Sequence, residues 1–408
     1  MSYQGKKIFF ARLRKSWISD AIISLNRKHK LFRQYKNGIV TFDHYNSFKN
    51  NFTTILLHAK NSYFQRKFTE CSNNSKDALK TLNSLIRCKN ASKDVTLNHN
   101  GSSISDPSII AEVNNNYFSN IASNLDHNIP HSNISPLNIL VAPVENSFFC
   151  PPSDSEEIDN LIRMQKKKST DLMNIPVFIY KILASLISHT VSMLFNNPLS
   201  EGIFPECFKM VKIIPIFKSG DSNSLANYRP ISMLPFLSKM FEKLVCARRD
   251  SYLKSNNILR KNLFGFCKNS NTSDAIIEFI DYVYSSLDKK QSAIALYLDY
   301  SKAFDTINQD KLMSKLHHNG IKGVTLSWFK SYICNMKQYV SVKNSSSSLS
   351  NITLGVPQGS VLGPVLFVLH INDMHRSSNK MHFVHFADDT TVFASDSDIN
   401  NVHASVNR

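Results

Sequence analysis

Apolar residues recur at helical spacing through the first hundred residues of the chain. In the stretches 17–35, 45–68 and 76–87 they stand near positions i, i+3 and i+4, and basic residues fill the positions between them. This pattern predicts three amphipathic helices. The Asn37-Gly38 pair predicts a break between the first two, because both residue types favour turns.

Two more helices are predicted after residue 150. Ser153 or Asp154 can serve as the N-cap of a helix over 156–167, with Glu157 near the position that completes a capping box. A second apolar pattern predicts a helix over 177–195. Residues 129–152 are rich in Pro, Asn and Ser, so a loop is predicted there.

Two β-type patterns occur in the last third of the chain, and each delivers a carboxylate. An apolar run from 293 to 298 ends at Asp299. Later in the chain, two short β-prone runs flank Asp388 and Asp389, which predicts a hairpin with both acids at its turn. The serine run at 345–348 is predicted to be the tip of another hairpin.

The composition is that of a globular protein of two or three domains. The chain has 408 residues, of which 42% are hydrophobic and 19% charged, so wholesale disorder is excluded. Its seven cysteines are scattered, and no Cys-x-x-Cys or Cys/His pair has the spacing of a zinc site. We therefore expect neither a disulfide scaffold nor a zinc module, and we expect a reducing intracellular compartment.

Positive charge is concentrated near the N-terminus. The net charge is +17, and residues 1–100 carry 19 Lys and Arg against 5 Asp and Glu, whereas residues 101–160 have eight acids and no Lys or Arg. This switch predicts a basic helical extension over 1–100, an acidic and polar connecting segment with a linker over 101–155, and a domain over 156–408. The basic helices either bind nucleic-acid phosphates or only solvate a helical bundle, and the size of the charge favours binding.

Neither a signal peptide nor a membrane span is expected. Lys6 and Lys7 precede only a few apolar residues before further basic residues interrupt them. The apolar run around 365–371 is far shorter than the roughly 20 residues that cross a bilayer. We therefore expect no membrane partner.

Carboxylates grouped in this way suit nucleotidyl transfer. That reaction must activate a 3′ hydroxyl and neutralise a triphosphate, which two Mg²⁺ ions about 3.5–4 Å apart can do. Mg²⁺ prefers oxygen ligands and keeps some waters, so two or three carboxylates are enough. Asp299 and Asp388 could supply them, although an Asp-Asp pair in a turn is also common where there is no catalysis.

The motifs around these carboxylates have a characteristic order. They are Ile-Pro-Ile-Phe-Lys at 214–218, Tyr-Arg-Pro-Ile at 228–231, Ser-Lys-Met-Phe-Glu-Lys at 238–243, Phe-Gly-Phe at 264–266, Leu-Asp-Tyr-Ser-Lys-Ala-Phe-Asp at 298–305, Val-Pro-Gln-Gly-Ser at 356–360, Ile-Asn-Asp at 371–373 and Phe-Ala-Asp-Asp at 386–389. In this order they resemble the reverse transcriptase of non-LTR (LINE-type) retrotransposons, particularly the jockey and CR1-like group. Cys267 stands where that family usually has Arg.

The resemblance implies an α+β right-hand polymerase with fingers and a palm, the palm being built on a ferredoxin-like antiparallel sheet. The core motifs span 211–391, the basic helical extension precedes them, and the thumb of the family is expected to be absent. The implied activity is RNA-directed DNA synthesis from dNTPs onto a primer 3′ hydroxyl, with two Mg²⁺ ions or Mn²⁺ as a substitute. The implied partners are an RNA template, a DNA primer or target DNA, and dNTPs, in the nucleus or the cytoplasm.

The resemblance also implies roles for individual residues. The metal-binding and catalytic carboxylates are Asp299, Asp388 and Asp389. The dNTP-binding residues are Arg229, Lys218, Phe304, which would crowd the sugar 2′ position, and Gln358. The residues next to template and primer are Pro357, Gly359 and Gly265.

Two other hypotheses about the function remain open. The chain could be a catalytically inert, truncated fragment that only binds RNA or DNA. It could also be another polymerase with the same kind of palm, such as an intron-encoded reverse transcriptase or an RNA-dependent RNA polymerase. The aromatic residue at Phe304 disfavours use of ribonucleotides.

Overall fold

The computed structural model describes residues 27–71, 77–78, 81–82, 96–99, 101–126, 143–166 and 170–406. The chain divides into two compact units, Met1–Lys93 and Asp94–Arg408. The start of the predicted helix over 17–35, most of that over 76–87, and most of the predicted loop over 129–152 lie outside the described residues.

The smaller unit contains two helices whose full bounds are described. They are α1, Lys28–Lys36, and α2, Phe42–Glu70. Between them Gly38 adopts a φ of 71°, a left-handed conformation that suits glycine. Thr41 caps α2 by accepting a hydrogen bond from the backbone N–H of His44 (3.4 Å). The predicted helix over 45–68 and the break at Asn37-Gly38 are therefore confirmed.

The larger unit is a mixture of helices and strands. Its described helices of eight or more residues are α3 Pro107–Asp126, α4 Ser155–Arg163, α5 Val177–Glu201, α6 Phe236–Ser255, α7 Thr272–Asp288, α8 Gln309–His318, α9 Gly323–Ile333, α10 Gly363–Ile371 and α11 Ile399–Val406. Its described strands are β1 Leu97–His99, β2 Ser102–Ile104, β3 Met210–Phe217, β4 Tyr228–Met233, β5 Ser292–Asp299, β6 Lys337–Val342, β7 Ser345–Ser346, β8 Ser350–Asn351, β9 His382–Phe386 and β10 Asp389–Asp396.

These strands form three sheets. The pair β1-β2 and the three-stranded sheet β5-β10-β9 are antiparallel throughout. The third sheet has the order β4-β3-β6-β7, with β8 also paired to β6, and its one parallel pair is β3 with β6. The larger unit is therefore α+β with mainly antiparallel sheets, as expected.

Local signals fixed several boundaries. Asp154 caps α4 by accepting a hydrogen bond from the N–H of Glu157 (2.8 Å), as predicted, although α4 ends at Arg163, four residues early. Helix α5 continues beyond residue 195 to Glu201, where Gly202 ends it in a left-handed conformation (φ 71°). The predicted hairpin tip at 345–348 is wrong, because the turn lies at 343–344 and the first two serines belong to β7.

The acidic segment over 101–155 contributes α3 to the larger unit. On this helix, Asn115 donates hydrogen bonds to the carbonyl of Ser348 and the hydroxyl of Ser350 (both 2.9 Å). Glu112 accepts hydrogen bonds from the backbone N–H and hydroxyl of Ser348. The charge switch thus coincides with a helix that packs beside β6, β7 and β8.

An aromatic core joins helices α5, α6 and α9. Phe204, just after α5, contacts Phe241 of α6 and Trp328 and Tyr332 of α9, at ring-centroid distances of 5.0 to 5.8 Å. All four side chains are fully buried. This core holds α6 in place, and a carboxylate on α6 fixes the loop before α10, as described below.

Helix α5 is long and apolar enough to cross a membrane by length and composition alone, which the sequence analysis did not foresee. A single helix of this kind is a weak indication, because core helices of soluble proteins pass the same test. Seven of its residues, including Ala184 and Phe195, are buried within the protein.

Candidate active site

The carboxylates meet at one end of the three-stranded sheet. Strands β9 and β10 are joined by a two-residue turn, Ala387-Asp388, in which Ala387 has a φ of 56°. Asp389 begins β10 and pairs directly with Asp299, the last residue of β5. Directly opposed residues of antiparallel strands have Cα atoms about 4.5–5.5 Å apart. The structure therefore brings Asp299, Asp388 and Asp389 to a single edge of the sheet, which we call the carboxylate edge.

The donor atoms at this edge suit a hard cation. Within the described residues, no three His, Cys, Asp or Glu side chains stand close enough to form a metal site by themselves. Asp299 and Asp389 are exposed and Asp388 is half-buried, so solvent and substrate can reach all three. Their oxygen atoms fit a divalent ion such as Mg²⁺, which completes its shell with water and substrate oxygens.

Gly265 lies directly against the Ala387-Asp388 turn, which we call the carboxylate turn. The segment that carries it runs beside β9, where Phe264 N–H donates to the carbonyl of His385 (2.9 Å) and His385 N–H donates to that of Asn262 (3.0 Å). A Cβ at residue 265 would lie only 1.8 Å from the backbone nitrogen of Ala387. Only glycine allows this approach, so the position reflects packing against the turn.

Phe304 packs between α10 and the segment that carries Gly265. Its ring stacks on Phe367 of α10 (centroids 5.0 Å apart) and makes an edge contact with Phe266 (5.9 Å). Its carbonyl accepts a hydrogen bond from the N–H of Val356 (2.9 Å). A Cβ at Gly355 would lie 2.6 Å from the carbonyl oxygen of Asp305, so these two segments touch through their backbones.

Gln358 joins the loop before α10 to two neighbouring segments. Its side-chain amide donates a hydrogen bond to Asp305 (2.9 Å), and its carbonyl accepts one from the N–H of Ser232 on β4 (2.7 Å). Gly359 has a φ of 114°, and a Cβ there would lie 2.7 Å from the carbonyl oxygen of Ser232. Burial raises the pKa of Asp305 to about 6.

Lys218 and Arg229 lie close enough to Lys302 for their charges to act on it, and Lys302 in turn lies near Asp305. Arg229 is exposed on β4, opposite Ile216, and Lys218 directly follows β3. Burial lowers the pKa of Lys302; nearby Asp305 opposes this effect, while the positive charges of Lys218 and Arg229 add to it. The sequence analysis did not assign Lys302. Its position three residues after Asp299 was the available signal, and its φ of 55° turns the chain there.

Glu242 is a second residue that the sequence analysis missed. Its buried carboxylate accepts hydrogen bonds from the N–H groups of Val361 (2.6 Å) and Leu362 (3.1 Å), at the start of α10. Burial raises its pKa to about 7 although these hydrogen bonds oppose the shift. Glu242 thereby holds the end of the loop in which Pro357 is also buried.

Comparison with known proteins agrees with this geometry. Residues 216–407 match the family model described as reverse transcriptase (RNA-dependent DNA polymerase). The chain is 32% identical over 243 residues to a probable RNA-directed DNA polymerase from transposon BS of Drosophila melanogaster, a match that covers 58% of this chain and 26% of that protein.

Two further relatives point the same way. The RNA-directed DNA polymerase from the mobile element jockey of Drosophila melanogaster is 29% identical over 264 residues, or 62% of this chain and 28% of the relative. The Pol polyprotein from the type-1 retrotransposable element R1 of Bradysia coprophila is 26% identical over 247 residues, or 59% and 24%. The chain thus spans about a quarter of the length of these curated relatives.

Proposed function

We propose that residues 216–407, which match the reverse transcriptase family model, carry the active centre of an RNA-directed DNA polymerase of a non-LTR retrotransposon. In the proposed reaction, a primer 3′ oxygen forms a bond to the α-phosphorus of a dNTP. The bond from that phosphorus to the oxygen bridging the α- and β-phosphates breaks, and pyrophosphate leaves with the electron pair. An RNA strand serves as the template.

The proposed metal ligands are Asp299, Asp388 and Asp389. They would hold two Mg²⁺ ions, or Mn²⁺ in their place, which activate the attacking hydroxyl and offset the triphosphate charge. The pairing of Asp389 with Asp299, next to Asp388, supports this assignment. Without a cation, three carboxylates at one edge would repel one another.

The cations Lys218, Arg229 and Lys302 are proposed to bind the triphosphate. The guanidinium of Arg229 can pair two of its N–H groups with phosphate oxygens, whereas the two lysines act as point charges. The mutual proximity of these three charges, which act on one another at Lys302, supports this role. Phe304 is proposed to crowd the sugar 2′ position, with Gln358 beside it.

The remaining assignments concern template, primer and architecture. Gly265, Pro357 and Gly359 are proposed to lie against the nascent base pair, since Gly265 packs against the turn that carries Asp388 and the other two residues lie in the loop that Gln358 joins to Asp305. The sheet β5-β10-β9 is proposed to be the palm, of ferredoxin-like type, and the sheet containing β3 and β4 to belong to the fingers.

The observation that carries the proposal is the register of Asp389 with Asp299 beside the Ala387-Asp388 turn. The test is primer extension on poly-rA/oligo-dT with Mg²⁺, comparing the full chain with an Asp388→Asn/Asp389→Asn variant. Incorporation by the wild type that is lost in the variant, with RNA binding unchanged, is the expected result. Equal incorporation by both would contradict the assignment of these carboxylates.

The basic N-terminal region favours a second candidate, a protein that binds nucleic acid without catalysis. Residues 1–100 carry 19 Lys and Arg against 5 Asp and Glu. Counterion release then requires the logarithm of the RNA association constant to fall linearly with the logarithm of salt concentration. A steep slope without any dNTP incorporation would favour this candidate, and a flat response would exclude it.

A further inference from the structure

A cleft separate from the carboxylate edge lies beside β9. Two adjoining cavities, of about 250 and 590 Å³, share four lining residues: Arg260, Asn372, His375 and Arg376. The larger cavity is also lined by β9 through its residues His382, Phe383 and His385. We call this double cavity the Arg260–Arg376 cleft.

The cleft is rich in positive charge that lacks an acidic partner. Asp373 is the carboxylate in the lining, and it already accepts a hydrogen bond from Lys315 (2.6 Å). Glu278, outside the lining, has a carboxylate oxygen within hydrogen-bond distance of Nε2 of His382 (3.0 Å). Within the described part of the chain, neither Arg260 nor Arg376 forms an ion pair.

One side-chain donor in the cleft, Nη1 of Arg376, is buried without a hydrogen-bond partner. Nδ1 of His375 donates to the carbonyl of Asn372 (3.0 Å), so Nε2 of the neutral ring is a buried acceptor that also has no partner. Burial, and then the charge of Arg260, lowers the pKa of His375. A buried guanidinium donor is rarely left unsatisfied, so the cleft is built to receive an acceptor, and its positive charge selects an anion.

The position of the cleft relates it to the carboxylate turn. Strand β9 runs from the cleft to that turn. A strand rises about 3.3 Å per residue, which puts His385 about 3 Å and His382 about 13 Å along β9 from Phe386, the last residue before the turn. Phosphates follow one another about every 3.4 Å along the axis of one strand in a duplex. A nucleic-acid strand that ends at the turn and runs along β9 would therefore carry its phosphates past the cleft about one to four nucleotides away.

We propose that the Arg260–Arg376 cleft binds a phosphate group of the nucleic-acid backbone leading to the carboxylate turn. The identity of the ligand rests on the proposed function, whereas the existence of an anion site rests on the unpaired arginines and the unsatisfied donor. Arg260 contributes an exposed charge, and Arg376 contributes a charge with a buried donor.

The test is fluorescence anisotropy of a labelled RNA/DNA heteroduplex bound to the full chain without metal ion or dNTP, over a series of salt concentrations. Arg260→Gln is the main variant because Arg260 is exposed and its loss leaves the core intact. Arg260→Lys keeps the charge, and Lys330→Gln, on the exposed surface of α9, removes one charge elsewhere. Arg376→Gln is added with its melting curve, since part of that side chain is buried.

We expect Arg260→Gln to weaken binding about 5- to 10-fold at low salt and to reduce the salt slope by about one. Arg260→Lys should restore most of the affinity, and Lys330→Gln should change it less than 2-fold. An unchanged affinity in Arg260→Gln, or an equal loss in Lys330→Gln, would overturn the proposal.

A competition experiment distinguishes backbone phosphate from free phosphate as the ligand of the cleft. Inorganic phosphate should displace the heteroduplex from the wild type better than chloride at equal ionic strength, and this difference should disappear in Arg260→Gln. Phosphate binding that depends on Arg260 while heteroduplex affinity does not would make the ligand free phosphate and overturn the proposal. Binding is measured here without catalysis. Absence of dNTP incorporation alone would therefore contradict the polymerase assignment without affecting the proposal that the cleft binds an anion.

Discussion

Replacement of Gly265 by alanine should inactivate the carboxylate turn without preventing nucleic-acid binding. The added Cβ would lie 1.8 Å from the backbone nitrogen of Ala387 and 2.7 Å from the carbonyl carbon of Phe386, whereas ordinary contact begins at 3.4 Å. The turn or the 264–266 segment must therefore move by about 1.6 Å, because no flexible side-chain end is available to give way.

A displacement of this size is large for a catalytic group. A misplacement of about 1 Å can cost on the order of 100-fold in rate, or about 2.7 kcal/mol of transition-state stabilisation. We therefore expect Gly265→Ala to lower the rate of dNTP incorporation at least 100-fold. Heteroduplex affinity should change less than 3-fold, because Gly265 carries no charge and lies outside the lining of the Arg260–Arg376 cleft.

The assay is single-turnover primer extension beside thermal unfolding followed by circular dichroism. Gly202→Ala is the matched control, since its Cβ would meet the carbonyl oxygen of Val324 at 2.8 Å, away from the carboxylate edge. It should lower the melting temperature but keep the rate per folded molecule. A Gly265→Ala protein that incorporates dNTPs within 3-fold of the wild-type rate would refute the close-packing explanation.

Substitutions at three other residues test the remaining parts of the site. Glu242→Ala should lower the unfolding free energy by about 2–4 kcal/mol, because it leaves two N–H groups at the start of α10 unsatisfied. Glu242→Gln should lower it by less. Denaturation curves would measure both variants, and equal losses would contradict the capping role. Because burial raises the pKa of Glu242 from 4.5 to about 7, wild-type stability should fall as pH rises through that interval, and Glu242→Gln should lack this slope. Phe304→Val should relax selection of dNTPs over ribonucleotides in competition assays, and unchanged discrimination would reject the proposed steric gate. Lys302→Ala should raise the KM for dNTP about 10-fold and Lys302→Arg much less, whereas an unchanged KM would remove Lys302 from the triphosphate site.

Local signals in the sequence were enough to predict the elements that carry the carboxylates. The β-prone runs on both sides of Asp388 and Asp389 predicted the hairpin, although Asp389 belongs to β10 and not to the turn. The apolar run before Asp299 predicted β5, and Asp154 marked the start of α4. Each of these signals lies within a few residues of the feature it predicts. They concern strands and caps, for which local chemistry is decisive.

Features that depend on distant contacts could not be predicted in this way. From the sequence alone, Glu242 has the pattern of a residue on the surface of a helix. Its role depends on the packing of α6 against the start of α10, where its partner Val361 is 119 residues away in the sequence. Lys302 becomes part of a cationic group only because β3, β4 and the turn after β5 meet. The Arg260–Arg376 cleft likewise joins segments more than a hundred residues apart, so no local pattern indicates it.

The register between β5 and β10 also has a consequence for the order of folding. Asp299 finds its partner Asp389 only after the intervening chain, with helices α8, α9 and α10, has closed a loop of 90 residues. Closing so long a loop costs chain entropy before its contacts form, so assembly of the sheet is expected to be slow and late. During synthesis on the ribosome, β5 would emerge well before β10 and leave its edge unpaired. Until then, the nascent protein can neither gather its carboxylates nor cover the edge of β5 that later pairs with β10, and that edge can pair with other chains.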